Sequence, residues 1–218
     1  MNEEISRNIM KSGTSIVGLV CKDGIAMAGD RRVTAGGQLI MGKNEQKVVQ
    51  INEYLIVAGT GVAADIDISE KVIAAELRLK ELKTKIRPSV KESASLIGNI
   101  LYRNIRTPSM IPSVVGLLVA GFNEDGTTEL YTVEPAGGVY KVKEYDANFS
   151  SGMPFILGLL ERQYKKDLPI KDGVELVKEC IKAAIERDPG SGNGIDVFSV
   201  TKDGIKHVVS EQIIPQYK

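Results

Sequence analysis

The order of elements along the chain predicts an α+β fold, with two packed antiparallel sheets and helices on the outside. Three observations carry this reading. Strands come in pairs joined by short turns, as antiparallel hairpins require. Helical segments also come in pairs, set between groups of strands. The run SVVGLLVAGF, residues 113–122, is apolar at both alternating sets of positions and therefore has to be buried on both faces. A parallel, doubly wound sheet is disfavoured, because strand and helix do not alternate singly.

Taken in order, TSIVGLVCK (14–22) reads as a strand, Asp23-Gly24 as a hairpin turn and 25–30 as the return strand. A loop through Gly36-Gly37 follows. QKVVQI (46–51), a turn at Asn52-Glu53 and YLIVAG (54–59) form a second hairpin. A first helix spans about 62–82, with Ile66, Val72, Ile73 and Leu77 at its apolar positions. A second opens after Pro88, where Ser89 and Glu92 have the spacing of a capping box, and runs to about Arg106. Strands resume at 113–122, in TTELYTVE (127–134) and in VYKVKEY (139–145), separated by turns at Glu124-Asp125-Gly126 and Gly137-Gly138. Two more helices, at about 154–165 and 172–187, precede the loop DPGSGNG. IDVFSV, a turn at Asp203-Gly204 and IKHVVS close the chain as a last hairpin.

A chain of 218 residues with 43% hydrophobic composition suits one globular domain that needs no disulfide or metal staple. Lys+Arg and Asp+Glu both number 28, so no net field exists to gather nucleic acid or an anionic membrane. The two cysteines, Cys21 and Cys180, fall in apolar contexts and read as small core residues. The single histidine, His207, reads as structural. Its solitude rules out multi-histidine zinc sites, and no metal or cofactor is expected. Residues 1–13 lack the apolar run of a signal peptide, and no stretch reaches about 18 apolar residues, so a cytoplasmic protein is expected.

The chemistry centres on Thr14, which follows Gly13 at the start of the first strand. One reading is a glycine turn before a β-branched strand starter. The other is that the Gly13–Thr14 bond is cut. A chain beginning at Thr14 would carry a hydroxyl nucleophile and, on the same residue, an α-amine of pKa about 7.7–8.0 able to serve as base. That would supply the base that a histidine-poor sequence lacks. Asp30 and Lys47 each have a structural reading, as a strand-end carboxylate and an edge-strand charge, yet a hairpin could bring both to Thr14. Gly61 ends a strand and opens a helix, where backbone N–H groups point outward and suit an oxyanion. Ser151, in SSGMP, stands at another helix start, and the glycine-rich RDPGSGNGID (187–196) has no P-loop pattern.

Together these segments resemble the β-type subunits of the archaeal 20S proteasome, which are N-terminal-nucleophile hydrolases. The carrying motifs are SGTSIVGLVCKDGIAMAGDRR, Lys47 in EQKVVQI, TGVAAD (60–65), SSG (150–152) and RDPGSGNGIDV (187–197). The resemblance implies a four-layer αββα sandwich, an autocleaved leader at 1–13 and a catalytic domain at 14–218. It implies Thr14 as nucleophile, Asp30 as the carboxylate orienting Lys47, and Gly61 as the oxyanion amide. Ser151, Asp188 and Ser191 become the cluster that holds the N-terminal amine. A specificity pocket of Val33, Thr34, Glu45, Val49, Gly59, Ala63 and Asp67 is implied as well. Gly59 at its floor leaves depth, and Asp67 and Glu45 favour cleavage after basic residues. Implied partners are α-type and other β-type subunits in stacked rings, a regulatory ATPase indirectly, and unfolded polypeptides as substrates. Ser15 stands where many members have threonine, Ser150 where glycine is usual, and the segment from Asp30 to Lys47 is one residue longer. Two alternatives are a silent ring-building β-type subunit and a stand-alone amidohydrolase of the same nucleophile class.

Overall fold

A computed structural model describes residues 13–35 and 39–213. The chain opens with β1 (Ile16–Val20) and β2 (Ile25–Asp30), then a short hairpin of β3 (Val33–Ala35) and β4 (Leu39–Gly42). β5 (Val48–Asn52) and β6 (Leu55–Gly61) lead into helices α1 (Ala63–Thr84) and α2 (Val90–Arg106). β7 (Val115–Phe122), β8 (Thr128–Val133), β9 (Val139–Lys141) and β10 (Tyr145–Asp146) follow. Helices α3 (Met153–Gln163) and α4 (Ile170–Ile185) precede the last pair, β11 (Gly194–Thr201) and β12 (Gly204–Gln212).

The strands form two five-stranded antiparallel sheets, in the orders β10-β1-β2-β11-β12 and β5-β6-β7-β8-β9. Three apolar clusters separate four layers. One lies between the two sheets and contains Ile16, Ile25, Met27, Ile56, Leu118 and Phe198. A second packs the first sheet on α3 and α4 through Val17, Leu19, Ala28, Ile156 and Ile181. The third packs the other sheet on α1 and α2 through Leu55, Val57, Ile73, Ile97 and Val119. The assignment follows from the two-residue period of a strand. In β6, Leu55 and Val57 face the helices while Ile56 and Ala58 face the opposite sheet. Each fully buried Leu or Ile contributes about 1.5–3 kcal/mol. The architecture is the αββα sandwich expected from the element order.

Several expected elements stand close to their sequence bounds. Ser89 caps α2 with a reciprocal capping box to Glu92, an arrangement worth about 1 kcal/mol. β7 is buried along almost its whole length. Three points differ. VYKVKEY is not one strand: β9 pairs with β8, whereas β10 crosses to the other sheet and pairs with β1. The stretch after Asp30 is not simply a loop, since β3 and β4 pair there; Gly36-Gly37 lie outside the described residues. On α1, Ile73 and Leu77 are buried, but Val72 is 40% exposed, as are Ile68, Leu79 and Leu82 in similar measure. The apolar residues of α1 are spread around the helix, so a single core-facing stripe cannot bury them all.

Cys21 and Cys180 both sit in the core between the first sheet and its helices. Burial pushes each thiol up to about 12, so neither is a thiolate nucleophile at neutral pH. His207 stacks on Phe198 with ring centroids 4.2 Å apart, and its Nε2 lies 2.9 Å from Asp196 Oδ1. Among the described residues, no helix is long and apolar enough to cross a membrane.

Candidate active site

Thr14 precedes β1 at the mouth between the sheets. Pairing of β1 with β2 sets Ile16 opposite Gly29, which brings Asp30 beside the residues just before the strand. Ser15 N–H donates to Asp30 Oδ1 at 2.9 Å. The N–H groups of Arg32 and Gly192 donate to Asp30 Oδ2 at 2.9 and 2.8 Å. Asp30 is fully buried, and three backbone donors hold its plane in one orientation. Lys47, just ahead of β5, reaches it across the sheet interface with Nζ 3.2 Å from Oδ1.

The same Lys47 ammonium donates to Thr14 Oγ1 at 2.9 Å and to the Gly13 carbonyl at 3.1 Å. The Thr14 hydroxyl itself donates to that carbonyl at 2.7 Å. Lys47 therefore touches both the Thr14 hydroxyl oxygen and the carbonyl oxygen of the bond before it. Burial lowers the Lys47 pKa, while the Asp30 carboxylate opposes that shift. Burial likewise raises Asp30, against the pull of Lys47 and the backbone donors. A lysine with a depressed pKa can give up its proton and serve as a base, which a solvated lysine at neutral pH does poorly.

A second polar cluster holds the Thr14 nitrogen, which donates to Ser151 Oγ at 2.9 Å. Ser151 Oγ also lies 3.0 Å from Thr14 O and 2.6 Å from Asp188 Oδ2. A hydroxyl has one proton, and the shorter contact to the carboxylate takes it. Ser191 Oγ donates to the same Asp188 oxygen at 2.6 Å. Ser15 Oγ sits 2.7 Å from Ser191 Oγ and, since the Ser191 proton is committed, is the donor there. The chain of bonds thus has a defined direction: Ser15 to Ser191 to Asp188, and Thr14 N to Ser151 to Asp188. The loop carrying Asp188 and Ser191 is tied to the link between β2 and β3 by Arg32, whose side chain donates to Asn193 Oδ1 at 2.8 Å and to the Pro189 carbonyl at 2.9 Å.

Gly61 ends β6 with φ of +122°, and a Cβ there would lie 2.0 Å from the Val114 carbonyl oxygen, so only glycine fits. It lines a cavity of about 330 Å³ beside Thr14 and Lys47. Val33, Glu45, Gly59, Ala63 and Asp67 line the same cavity. Thr34 and Val49 do not. Thr34 instead accepts the Gly13 N–H on its Oγ1 at 2.8 Å, and Val49 packs against the core under α1 and α2. The expected depth over Gly59 is partly taken: a Cβ on Gly59 would lie 2.5 Å from Ile66 Cγ2, so Ile66 occupies that space. Asp67 pairs with Lys71 at 2.7 Å, and its side chain is 61% exposed. Glu70, one turn further on, also lines the cavity, and burial with help from Asp67 pushes its carboxyl up to about 7.

Sequence reasoning missed Glu70, Met41, Gln46 and Ile66 in the lining, gave Ser15 no role, and offered Arg32 only as a side-chain partner for Asp30, whereas its guanidinium goes to Asn193 and Pro189. The helical period offers a signal for two of them. Ile66 and Glu70 lie three and seven residues after Ala63 and so share its face of α1.

The family model described as "Proteasome subunit" matches residues 10–200 of this chain. The chain belongs to the proteasome subunit family. Its relatives place it on the β-type side. It is 37% identical over 201 residues to proteasome subunit beta 1 of Thermococcus onnurineus, covering 92% of this chain and 95% of that protein. Proteasome subunit beta 2 of Aeropyrum pernix is 34% identical over 211 residues, covering 97% and 90%. Proteasome subunit beta of Nanoarchaeum equitans is 32% identical over 198 residues, covering 91% and 98%. As a proteasome β-type subunit, the chain is a member of a threonine-protease family and of an assembly with other proteasome subunits.

Proposed function

We propose that this proteasome β-type subunit is a threonine endopeptidase that first removes its own residues 1–13 and then cleaves unfolded polypeptides. The observation that carries the reading is the position of Lys47 Nζ, 2.9 Å from Thr14 Oγ1 and 3.2 Å from Asp30 Oδ1. A hydroxyl nucleophile, a buried base of depressed pKa and a fixed carboxylate behind it form an activated-nucleophile arrangement. A ring-building subunit without activity has no use for a buried charge pair next to a threonine hydroxyl, since such a pair is a poor source of stability.

After the leader leaves, the Thr14 nitrogen becomes a free amine held by Ser151. Thr14 Oγ then adds to a substrate carbonyl, and its proton passes to Lys47 or to the amine. The Gly61 N–H stabilises the oxyanion, a role worth about 2.7–4 kcal/mol in comparable sites. Collapse releases the amine fragment and leaves an ester on Thr14, which water hydrolyses. Asp30 keeps Lys47 in place throughout.

The cavity carries Glu45, Asp67 and Glu70 and no lining cation other than Lys47 among the described residues, which supports a preference for Lys or Arg before the cut. Asp67 is already paired with Lys71, so Glu70 supplies more of that preference than Asp67 does. The exposed apolar residues of α1 support burial against neighbouring subunits, in stacked β-type and α-type rings that an ATPase serves from outside. A cytoplasmic location accords with this assembly.

The test is to co-assemble the chain with α-type subunits, determine its intact mass, and assay peptides differing only at the residue before the cut. A mass starting at Thr14 with peptide turnover supports the reading. Turnover by chains that all retain residues 1–13 overturns it.

A further inference from the structure

Gly13 is held on three sides. Its N–H donates to Thr34 Oγ1 at 2.8 Å, and its carbonyl oxygen receives Lys47 Nζ at 3.1 Å and Thr14 Oγ1 at 2.7 Å. Its third side rests on the backbone of Gly190, in the loop that carries Asp188 and Ser191. A Cβ on Gly13 would lie 2.1 Å from Gly190 Cα, and a Cβ on Gly190 would lie 2.4 Å from Gly13 Cα. Real β-carbons essentially never come so close to backbone, so the approach exists only because both residues lack one.

We propose that Gly190 is a positioning residue for leader cleavage: its bare backbone lets Gly13 settle where Lys47 and the Thr14 hydroxyl reach the Gly13 carbonyl. The proposal rests on the leader-cleavage reading above. In that step Thr14 Oγ bonds to the Gly13 carbonyl carbon, and the hydroxyl proton passes through Lys47 to the Thr14 nitrogen. The Gly13–Thr14 C–N bond then breaks, leaving Gly13 as an ester on Thr14 Oγ. Water adds to that ester, its OH ending on the Gly13 carboxyl and its remaining hydrogen on Thr14 Oγ.

The demand on Gly190 is greatest in this step. Beyond Gly13, the nearest atoms to a Gly190 Cβ are Ser151 Oγ at 3.3 Å and Asp188 Oδ1 at 3.4 Å, the one tight and the other at the edge of ordinary contact. The φ of Gly190 lies outside the left-handed region, so its backbone angle does not exclude alanine. The neighbouring Gly192 is different, with φ of +153° and a Cβ position 2.3 Å from the Arg32 guanidinium. Its requirement persists after the leader has gone. Gly13 also points its Cβ direction at Gly190 rather than into open space, so no residue with a side chain can take its place at the junction.

The experiment follows the full chain, co-assembled with α-type subunits, as wild type, Gly190→Ala and Gly13→Ala. Intact-mass spectrometry gives the rate of leader loss, particle size by sedimentation shows assembly, and fluorogenic peptide turnover is expressed per free Thr14 terminus. Both variants should lose the leader roughly 100-fold more slowly, the penalty of misplacing a reacting carbonyl by about 1 Å. Once cleaved, Gly190→Ala should lose far less of its peptide turnover than of its cleavage rate, since only Ser151 Oγ then has to give, by a few tenths of an ångström. Wild-type rates of leader loss in either variant overturn the role of Gly190 alone, as does a Gly190→Ala chain whose turnover per free terminus falls as far as its cleavage does. A wild-type chain that keeps residues 1–13 while hydrolysing peptides overturns the underlying reading instead.

Discussion

Lys47 and Asp30 form a buried ion pair, 3.2 Å from Nζ to Oδ1, with side chains 8% and 0% exposed. Such a pair gains little net stability over an apolar replacement, but removing one partner strands the other charge at a cost of about 3–5 kcal/mol. Asp30→Asn and Lys47→Ala should therefore each lower kcat/KM by at least about 100-fold. The double variant should lose little more than the worse single one, because the two residues act as a unit. Steady-state kinetics of the four proteins check this, and additive losses contradict the pair. Lys47→Arg should not rescue, since a guanidinium keeps its proton.

The Thr14 hydroxyl sits 2.7 Å from the Gly13 carbonyl oxygen. Thr14→Ala should keep residues 1–13 in the intact mass and show no peptide turnover. Thr14→Ser retains a hydroxyl and should still lose the leader. Leader loss in the alanine variant would mean that another group or another protease cuts the bond.

Asp188 Oδ2 accepts from both Ser151 and Ser191 at 2.6 Å. Asp188→Asn that offers its amide nitrogen there opposes two donors with a third, and Ser151 loses the orientation that lets it accept the Thr14 N–H. We expect kcat to fall by about 10–100-fold with KM little changed, because the cluster meets Thr14 and does not line the cavity beside it. A change confined to KM would move Asp188 into the binding pocket.

Glu70 should give the specificity a pH dependence. Its carboxyl, pushed up to about 7, is neutral below that pH and charged above it. Raising pH from about 6 to about 8 should raise kcat/KM for a peptide with Arg before the cut relative to one with Leu. The ratio cancels the ionisation of the nucleophile, which both peptides share. Glu70→Gln should flatten the ratio, and Asp67→Asn should change it less, since Asp67 is paired with Lys71. A pH-independent ratio in the wild type removes Glu70 from the pocket chemistry.

Local pattern in the sequence determined the element order and the layers. A strand's two-residue period and a helix's 3.6-residue period are written in nearest neighbours, so β7 buried on both faces and the Ser89 cap of α2 were legible. Thr14 stood out through the Gly13–Thr14 junction and the shortage of histidine, whereas Asp30, Lys47, Ser151, Asp188 and Ser191 were marked as a set only by the resemblance to the family. Only the tertiary structure decided what those residues touch. Ser15 meets Ser191 across 176 positions, and Thr14 meets Ser151 across 137. Such contacts depend on how β1, β2 and β11 register within one sheet, and on how that sheet stacks on the one edged by β5. Stacking also decided the fates of apolar and small residues that the pattern treated alike. It filled the space over Gly59 with Ile66, turned Val49 into the core, left Val72 exposed and set Gly13 against Gly190. Periodicity says which side of an element is buried; the partner on that side is chosen by long-range packing, which no local window contains.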